Sequence, residues 1–339
     1  MNRSRYLINY SMVRLSLAPV MLWLISTFVF LLLRIAPGDP VDAILGNRAD
    51  DNAREIMREK LGLNMPLINQ YFHFLNRLIH GDLGESLNTQ EPVREIIAKT
   101  LPASIELGVI ALIIAALIGI SVGFTGVANP EGKTDLVGRL FGIGTYALPP
   151  FWAAMLIQLL FAVILGWLPV GGRFPPQLSP PQGSGFFIFD SIRLGDISSL
   201  NASIRHLILP SSTLGILLSG IFSRSLRVNL DKTLKTNYIE AAKSRGIKDN
   251  QILFAHALPN ALLPVLTIAG LTIASLIGGA LLIEVTFSWP GIALSLQEAI
   301  SQRDYPIVQG IIVVISTLVV VINLTIDLII AFIDPRVKY

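Results

Sequence analysis

Cysteine is missing from all 339 residues, which excludes a disulfide framework, a thiolate nucleophile and a thiolate metal site. Charge is scarce as well: Asp, Glu, Lys and Arg make up 14% of the chain, against about 25% in a soluble domain. The net charge of +3 is too small to point to nucleic acid, and only four histidines (73, 80, 206, 256) are available for base or ligand work. What the chain has instead is apolar length. Hydrophobic residues reach 52% and the mean hydropathy is +0.63. Six runs are long enough to cross about 30 Å of hydrocarbon at 1.5 Å per residue: Leu15–Leu33, Leu107–Ala128, Leu140–Leu165, His206–Ser223, Ala257–Ile283 and Tyr305–Ile333. These runs predict an all-α polytopic membrane protein with six transmembrane helices, one transmembrane domain over residues 1–339.

The first run follows Arg3, Arg5 and Arg14, as a signal peptide would. Its 19 residues exceed an h-region, however, and 34–40 (RIAPGDP) offers no small-residue cleavage site, so an uncleaved span is expected. Lys and Arg then set the orientation. Three precede the first span, two lie at 133 and 139, and seven fall between 224 and 248, with two more at 336 and 338. The short loops on the opposite face hold three (173, 193, 205) and one (303). The positive-inside rule gives N-in, C-in, with 229–260 as a cytoplasmic loop and 34–102 as an extracytoplasmic insert.

Within that insert, Leu67, Ile68, Tyr71, Phe72, Leu75, Leu78 and Ile79 form one apolar stripe at helical spacing. Pro66 suits its first turn and Gly81 its stop. Such a helix either lies on the membrane or packs on span ends, and packing is the expectation. Pro149-Pro150 must kink or break the third run, leaving a structural kink or a pathway lining. The loop 166–205, with five prolines, reads as irregular surface. Ser288-Trp289-Pro290-Gly291 reads as a turn with an interfacial Trp, followed by a short helix over 292–300.

Several motifs fail on context. Gly119-Ile120-Ser121-Val122-Gly123 fits a nucleophile elbow, but no histidine falls at its depth, and Gly119 and Gly123 are better read as a helix-packing pair. Gly126 to Gly132-Lys133-Thr134 has five residues between its glycines where a phosphate loop has four, and Gly142-Ile143-Gly144 follows no strand. Asp327, one turn from Asn323, is the one acid well inside an apolar run; a proton relay and an interhelical polar tie both fit it.

The most informative segment is YIEAAKSRGIKDNQILFAHALPNALLP, from Tyr238 to Pro264, a polar hairpin between two apolar runs. Tyr238–Ser244 predicts a short helix ended by Gly246 at positive φ. Asp249 suits the cap of a second helix that runs to His256 before Pro259 interrupts it. Glu240-Ala241-Ala242, Gly246 and Leu258-Pro259 resemble the EAA loop of bacterial ABC importer permeases. His256 stands where the general motif has an aliphatic residue, and His256-Ala257-Leu258-Pro259-Asn260 is similar to the peptide and nickel branch. The same branch is resembled by Gly62-Leu63-Asn64-Met65-Pro66, Gly81-Asp82-Leu83-Gly84-Glu85-Ser86, Phe287–Gly291, Arg303-Asp304-Tyr305-Pro306 and Asp334-Pro335-Arg336, so the likeness runs from Pro37 to Arg336.

This resemblance implies a type I ABC importer permease in the bacterial inner membrane, importing di- or oligopeptides, nickel chelates, glutathione or another small solute. It implies no catalytic or metal residue and no cofactor in this chain. ATP and Mg would be used by two cytoplasmic ATPase subunits. A second permease and an extracytoplasmic solute-binding protein complete the set. ATPase coupling would fall to Glu240, Ala241, Ala242, Gly246, His256, Leu258 and Pro259. An ion-coupled secondary transporter and an intramembrane hydrolase using Ser121 are the other classes to test.

Overall fold

The computed structural model describes residues 3–35, 41, 45, 50–60, 62–128 and 132–333. Pro37, the 36–40 part of the RIAPGDP segment and Asp334-Pro335-Arg336 lie outside the described residues, as does the side chain of Asp327. Every regular element described is a helix, with one isolated antiparallel bridge between Glu85 and Pro92. Two compact units emerge, residues 1–102 with 291–324 and residues 103–290 with 325–339.

The first unit contains α1 (Arg3–Ile35), α2 (Asp51–Lys60), α3 (Leu67–Ile79), the start of α4 (Val93–Ala128), and, late in the chain, α13 (Ile292–Ser301) and most of α14 (Tyr305–Ile333). α3 begins after Pro66 and is closed by His80, ahead of Gly81 at φ +73°. It packs on the end of α1, as its stripe predicts: Phe74 is buried and stacks on Phe30 at 5.5 Å, and the Tyr71 hydroxyl meets Thr27 Oγ1 at 2.7 Å. Val93, Ile97, Ile292, Val308 and Ile311 form this unit's core. Buried Asp304 fastens the 82–92 loop, accepting from Ser86 Oγ at 2.7 Å and from the Asn88 backbone at 3.3 Å.

The second unit holds the remainder of α4, then α5 (Lys133–Ala147), α6 (Pro150–Gln158, continuing as a π-helical turn to Ile164), α7 (Phe187–Leu194) and α8 (Ile197–Leu234). After these come α9 (Asn237–Ser244), α10 (Asp249–Gln251), α11 (Leu258–Gly279) and α12 (Leu281–Thr286). Among the described residues, five helices are long and apolar enough to cross a membrane, and the α5/α6 pair, bent by 104°, makes six if it counts as one. The bend lies where the sequence puts it: Pro149 is extended and Pro150 opens α6 at a position whose N–H has no intrahelical partner anyway. The apolar runs understate the helices. α8 starts nine residues before His206 and continues through Arg224, Arg227 and Lys232 to Leu234. Its buried hydroxyls return to the backbone, Ser211 Oγ to Leu207 O at 2.6 Å and Thr213 Oγ1 to Leu209 O at 2.7 Å, which answers the lack of water in a bilayer.

α4 and α8 touch at the Gly119/Gly123 pair. A Cβ on Gly119 would stand 2.5 Å from both Phe222 Cβ and the Ser219 carbonyl, and one on Gly123 would stand 2.7 Å from the Ser223 carbonyl. Ser121 lies on the exposed side of α4, away from this seam. We expect Gly119→Leu to destabilise the fold by about 1–3 kcal/mol through overpacking, measurable as a lowered unfolding midpoint of the purified protein in detergent. Unchanged stability would remove the close-packing role.

Three expectations are corrected here. Trp289 is not interfacial: it is 1% exposed and donates from Nε1 to the Ala103 carbonyl at 3.0 Å, in a core with Leu107, Ile283 and Phe287. The loop 166–205 is not wholly irregular, because it carries α7 and the first turns of α8. Pro259 does not interrupt a helix, because it falls in the first turn of α11.

Candidate functional site

The hairpin after α8 is short and built from backbone rules. α8 ends at Leu234 with Lys235 as its C-cap, Thr236 adopts extended geometry, and α9 runs over Asn237–Ser244, one residue longer than predicted at its start. Its end is a Schellman turn: Gly246 N–H donates to Lys243 O at 2.9 Å and Ile247 N–H to Ala242 O at 3.3 Å, with Gly246 at φ +74°. Nothing lies within 4 Å of the position a Gly246 Cβ would occupy, so the glycine answers to its dihedral and not to crowding.

α9 has two faces. Ile239 (0% exposed) and Ala242 (8%) sink into a core with Phe222, Leu226, Leu230, Ile252, Leu253 and Ala257. Glu240, Ala241, Lys243 and Ser244 face out. The triplet is therefore split: Glu240 and Ala241 belong to an open ridge, while Ala242 is part of what holds that ridge in place. Phe222, Leu226 and Leu230 of that cluster lie a turn apart on α8.

The second arm departs from expectation. Lys248, not Asp249, occupies the N-cap position, and no side chain caps the helix. Asp249–Gln251 then passes into a π-helical turn, Ile252–Ala257, and α11 follows directly from Leu258 with Pro259 in its first turn. A π turn shifts the hydrogen-bond register by one residue, so a proline that would break an α-helix falls where a fresh helical segment begins and its missing N–H leaves no gap. The carbonyl of His256 is used from outside the ladder, accepting from Asn260 Nδ2 at 2.8 Å and from the Tyr238 hydroxyl at 3.3 Å. Asn260 Nδ2 also reaches Tyr238 Oη at 3.2 Å. Tyr238 and Asn260 thus tie α9 to α11, a role not assigned from sequence. Its only signal there was a tyrosine and an asparagine flanking an unusual proline. His256 and Leu258 are half-buried, and Pro259 is exposed.

The hairpin's base is fixed to the broken span. Asp135, buried in the first turn of α5, accepts from Arg139 Nη2 at 2.7 Å and pairs with Arg227 of α8. Further along, α5 and α8 close on one another at Thr145 and Gly220, beside a cavity of about 300 Å³ reaching Pro150 and Leu276.

At the other end of this unit, Glu106 and Arg173 form a buried pair at 2.6 Å, 8% and 5% exposed. Glu106 also accepts from the Ile188 N–H at 2.8 Å, and Arg173 donates to Gly185 O at 2.7 Å and stacks over Phe187 at 3.8 Å. Burial pulls the Arg173 guanidinium below its usual value, opposed by its bond and attraction to Glu106. In the same loop, burial opposes ionisation of Asp190, but donation from Ser184 and Gly185 outweighs it and holds this carboxyl below the usual carboxylate range.

Residues 97–339 match the family model described as binding-protein-dependent transport system inner membrane component, and residues 7–108 match that of the corresponding N-terminal region. The chain is 39% identical to the dipeptide transport system permease protein of Alkalihalophilus pseudofirmus, over 98% of its own length and 100% of the relative's. It is 35% identical to the di/tripeptide transport system permease protein of Pseudomonas aeruginosa (93% and 94% covered). Identity to the glutathione transport system permease protein of Pectobacterium atrosepticum is 31% (98% and 100% covered).

Proposed function

The chain belongs to the binding-protein-dependent transport system inner membrane components, multi-pass transport subunits and not enzymes, and from that premise we propose that it is one half of the translocation pathway of an ATP-driven importer of short peptides. The peptide assignment rests on the dipeptide and di/tripeptide permeases it is similar to. N- and C-termini and the 229–260 hairpin lie in the cytoplasm of a bacterium, the 34–102 insert lies outside, and the bilayer is the inner membrane. A second permease, two ATP-binding subunits and an outer solute-binding protein complete the assembly. ATP and Mg are consumed by the ATPases alone.

The observation that carries this reading is the open ridge of α9, with Glu240 and Ala241 exposed over a buried Ile239 and Ala242. A gate moved from 1:99 to 99:1 needs about 5.5 kcal/mol of differential interaction, and a motor outside the bilayer must deliver it through a stiff contact. α9 docks into the ATPase; Gly246 sets its angle; His256, Leu258 and Pro259 shape the second arm. α8, continuous from the hairpin to Gly220 against Thr145, carries the motion to the broken span, and rigid-body rocking alternates access.

Two results test this. Labelled dipeptide should enter vesicles holding the whole assembly only with ATP and binding protein. Uptake driven by an ion gradient without ATP would make the chain a secondary transporter. The purified chain alone should hydrolyse no ATP, and robust turnover by it would overturn the partner assignment.

A further inference from the structure

We propose that the first unit contains a binding site for a zwitterionic group, built from residues of neither the hairpin nor the broken span. A cavity of about 530 Å³ opens there, within the range of small-ligand sites. Two of its lining donors are buried and have no partner: Arg34 Nη1, at the end of α1, and Gln309 Nε2, on α14. Gln309 is 7% exposed, and its amide nitrogen has no partner within the chain. A buried donor left unpaired costs about 1–3 kcal/mol, a cost that a bound oxyanion in the cavity would relieve.

Both donors are held in place. The Arg34 guanidinium lies 4.9 Å from the Phe30 ring and 5.6 Å from that of Tyr305, with Nε donating to Gln70 Oε1 at 2.9 Å. Gln70 is itself fixed by donation to Leu63 O and Met65 O. Gln309 is one turn beyond Tyr305 on the same face of α14, so the ring that flanks Arg34 also sets the register of the amide. Two fixed N–H donors, one of them cationic, suit an oxyanion such as a carboxylate or phosphate. The same cavity is lined by two acids, Asp82 and Glu85, and by a second cation, Arg77. A lone anion would meet those acids unfavourably, whereas a group with its ammonium toward Asp82 and Glu85 satisfies both ends.

Two sources share this chemistry: a free short peptide, and the headgroup of phosphatidylethanolamine. The peptide source rests on the importer reading above; the site itself does not. For the test, the intact assembly is placed in phosphatidylglycerol nanodiscs without binding protein and titrated with alanyl-alanine by saturation-transfer NMR. N-acetyl-alanyl-alanine and alanyl-alanine amide serve as single-charge controls. In parallel, phosphatidylethanolamine retained on the assembly purified from native membranes is counted by native mass spectrometry. Gln309→Leu and the same-sized Gln309→Glu are run in both arms.

Saturable binding of alanyl-alanine, absent for the two controls and weakened about tenfold or more by both variants, assigns the site to the peptide. Phosphatidylethanolamine kept by the wild type and lost by both variants assigns it to the headgroup. Neither signal in the wild type, equal binding of the single-charge controls, or signals unchanged in both variants would overturn the site. ATP-dependent dipeptide uptake is measured on the same preparations. Normal uptake with a silent cavity removes only this proposal, and absent uptake with an occupied cavity removes only the importer reading.

Discussion

Gly246→Val is expected to abolish uptake while leaving the chain inserted and at normal abundance in the membrane. The position is exposed and open, so valine meets no neighbour; what it cannot do is hold φ +74°. Left-handed geometry costs an ordinary residue about 1–2 kcal/mol, and more for a β-branched one. The least expensive escape is to unwind the end of α9, giving up the Lys243 and Ala242 carbonyl bonds that close its last turn. An eight-residue helix has no stability of its own to resist this, being far shorter than the 12–15 residues or so at which isolated helices become marginal. Glu240 and Ala241 then lose the ridge that an ATPase would grip, although every apolar span is untouched. Gly246→Asn, which tolerates this region of φ, should keep a substantial part of the transport. Radiolabelled dipeptide uptake beside an immunoblot of the membrane fraction separates the cases, and wild-type uptake by the valine variant would remove the hairpin from the coupling path.

How much of this was visible beforehand depended on whether the determining interactions were local. The Gly246 turn, the Pro66 start and Gly81 stop of α3, and the break at Pro149 all follow from backbone sterics within four residues, and all appear where the sequence puts them. Pro259 departs from the expected break because a π turn upstream, invisible to 3.6-residue periodicity, changes which carbonyl the proline would leave unpaired. The burial of Trp289 is not legible locally because its partner is a carbonyl 186 residues away. The same distance hid the division of labour within the EAA triplet: that Ala242 is buried and Ala241 is not depends on where Leu226, Leu230 and Ile252 arrive. Composition could count the few charges, but it could not show that Glu106 meets Arg173 across 67 residues or Asp135 meets Arg227 across 92.

That first pair carries the largest expected effect on stability. Glu106→Gln should destabilise the protein by about 3–5 kcal/mol, the usual penalty for leaving one member of a buried ion pair without its counter-charge. Arg173 has nowhere to go: it is 5% exposed, stacked over Phe187 and bonded to Gly185 O, and its Nε is already unpaired. Glutamine keeps the size and one acceptor, so a mild loss would be the outcome if only the hydrogen bond mattered; a severe one isolates the charge. Glu106 also receives the Ile188 N–H in the first turn of α7, so its neutralisation weakens the seat of that helix as well. The double variant Glu106→Leu/Arg173→Met should be more stable than Glu106→Gln alone, because removing both charges removes the desolvation problem together with the attraction. Thermal unfolding of the detergent-purified protein, followed by tryptophan fluorescence with Trp289 in the adjoining core, reads both variants. If the single variant unfolds with the wild type, or the double variant proves the weaker of the two, the pair contributes shape and not charge balance to the 166–205 loop.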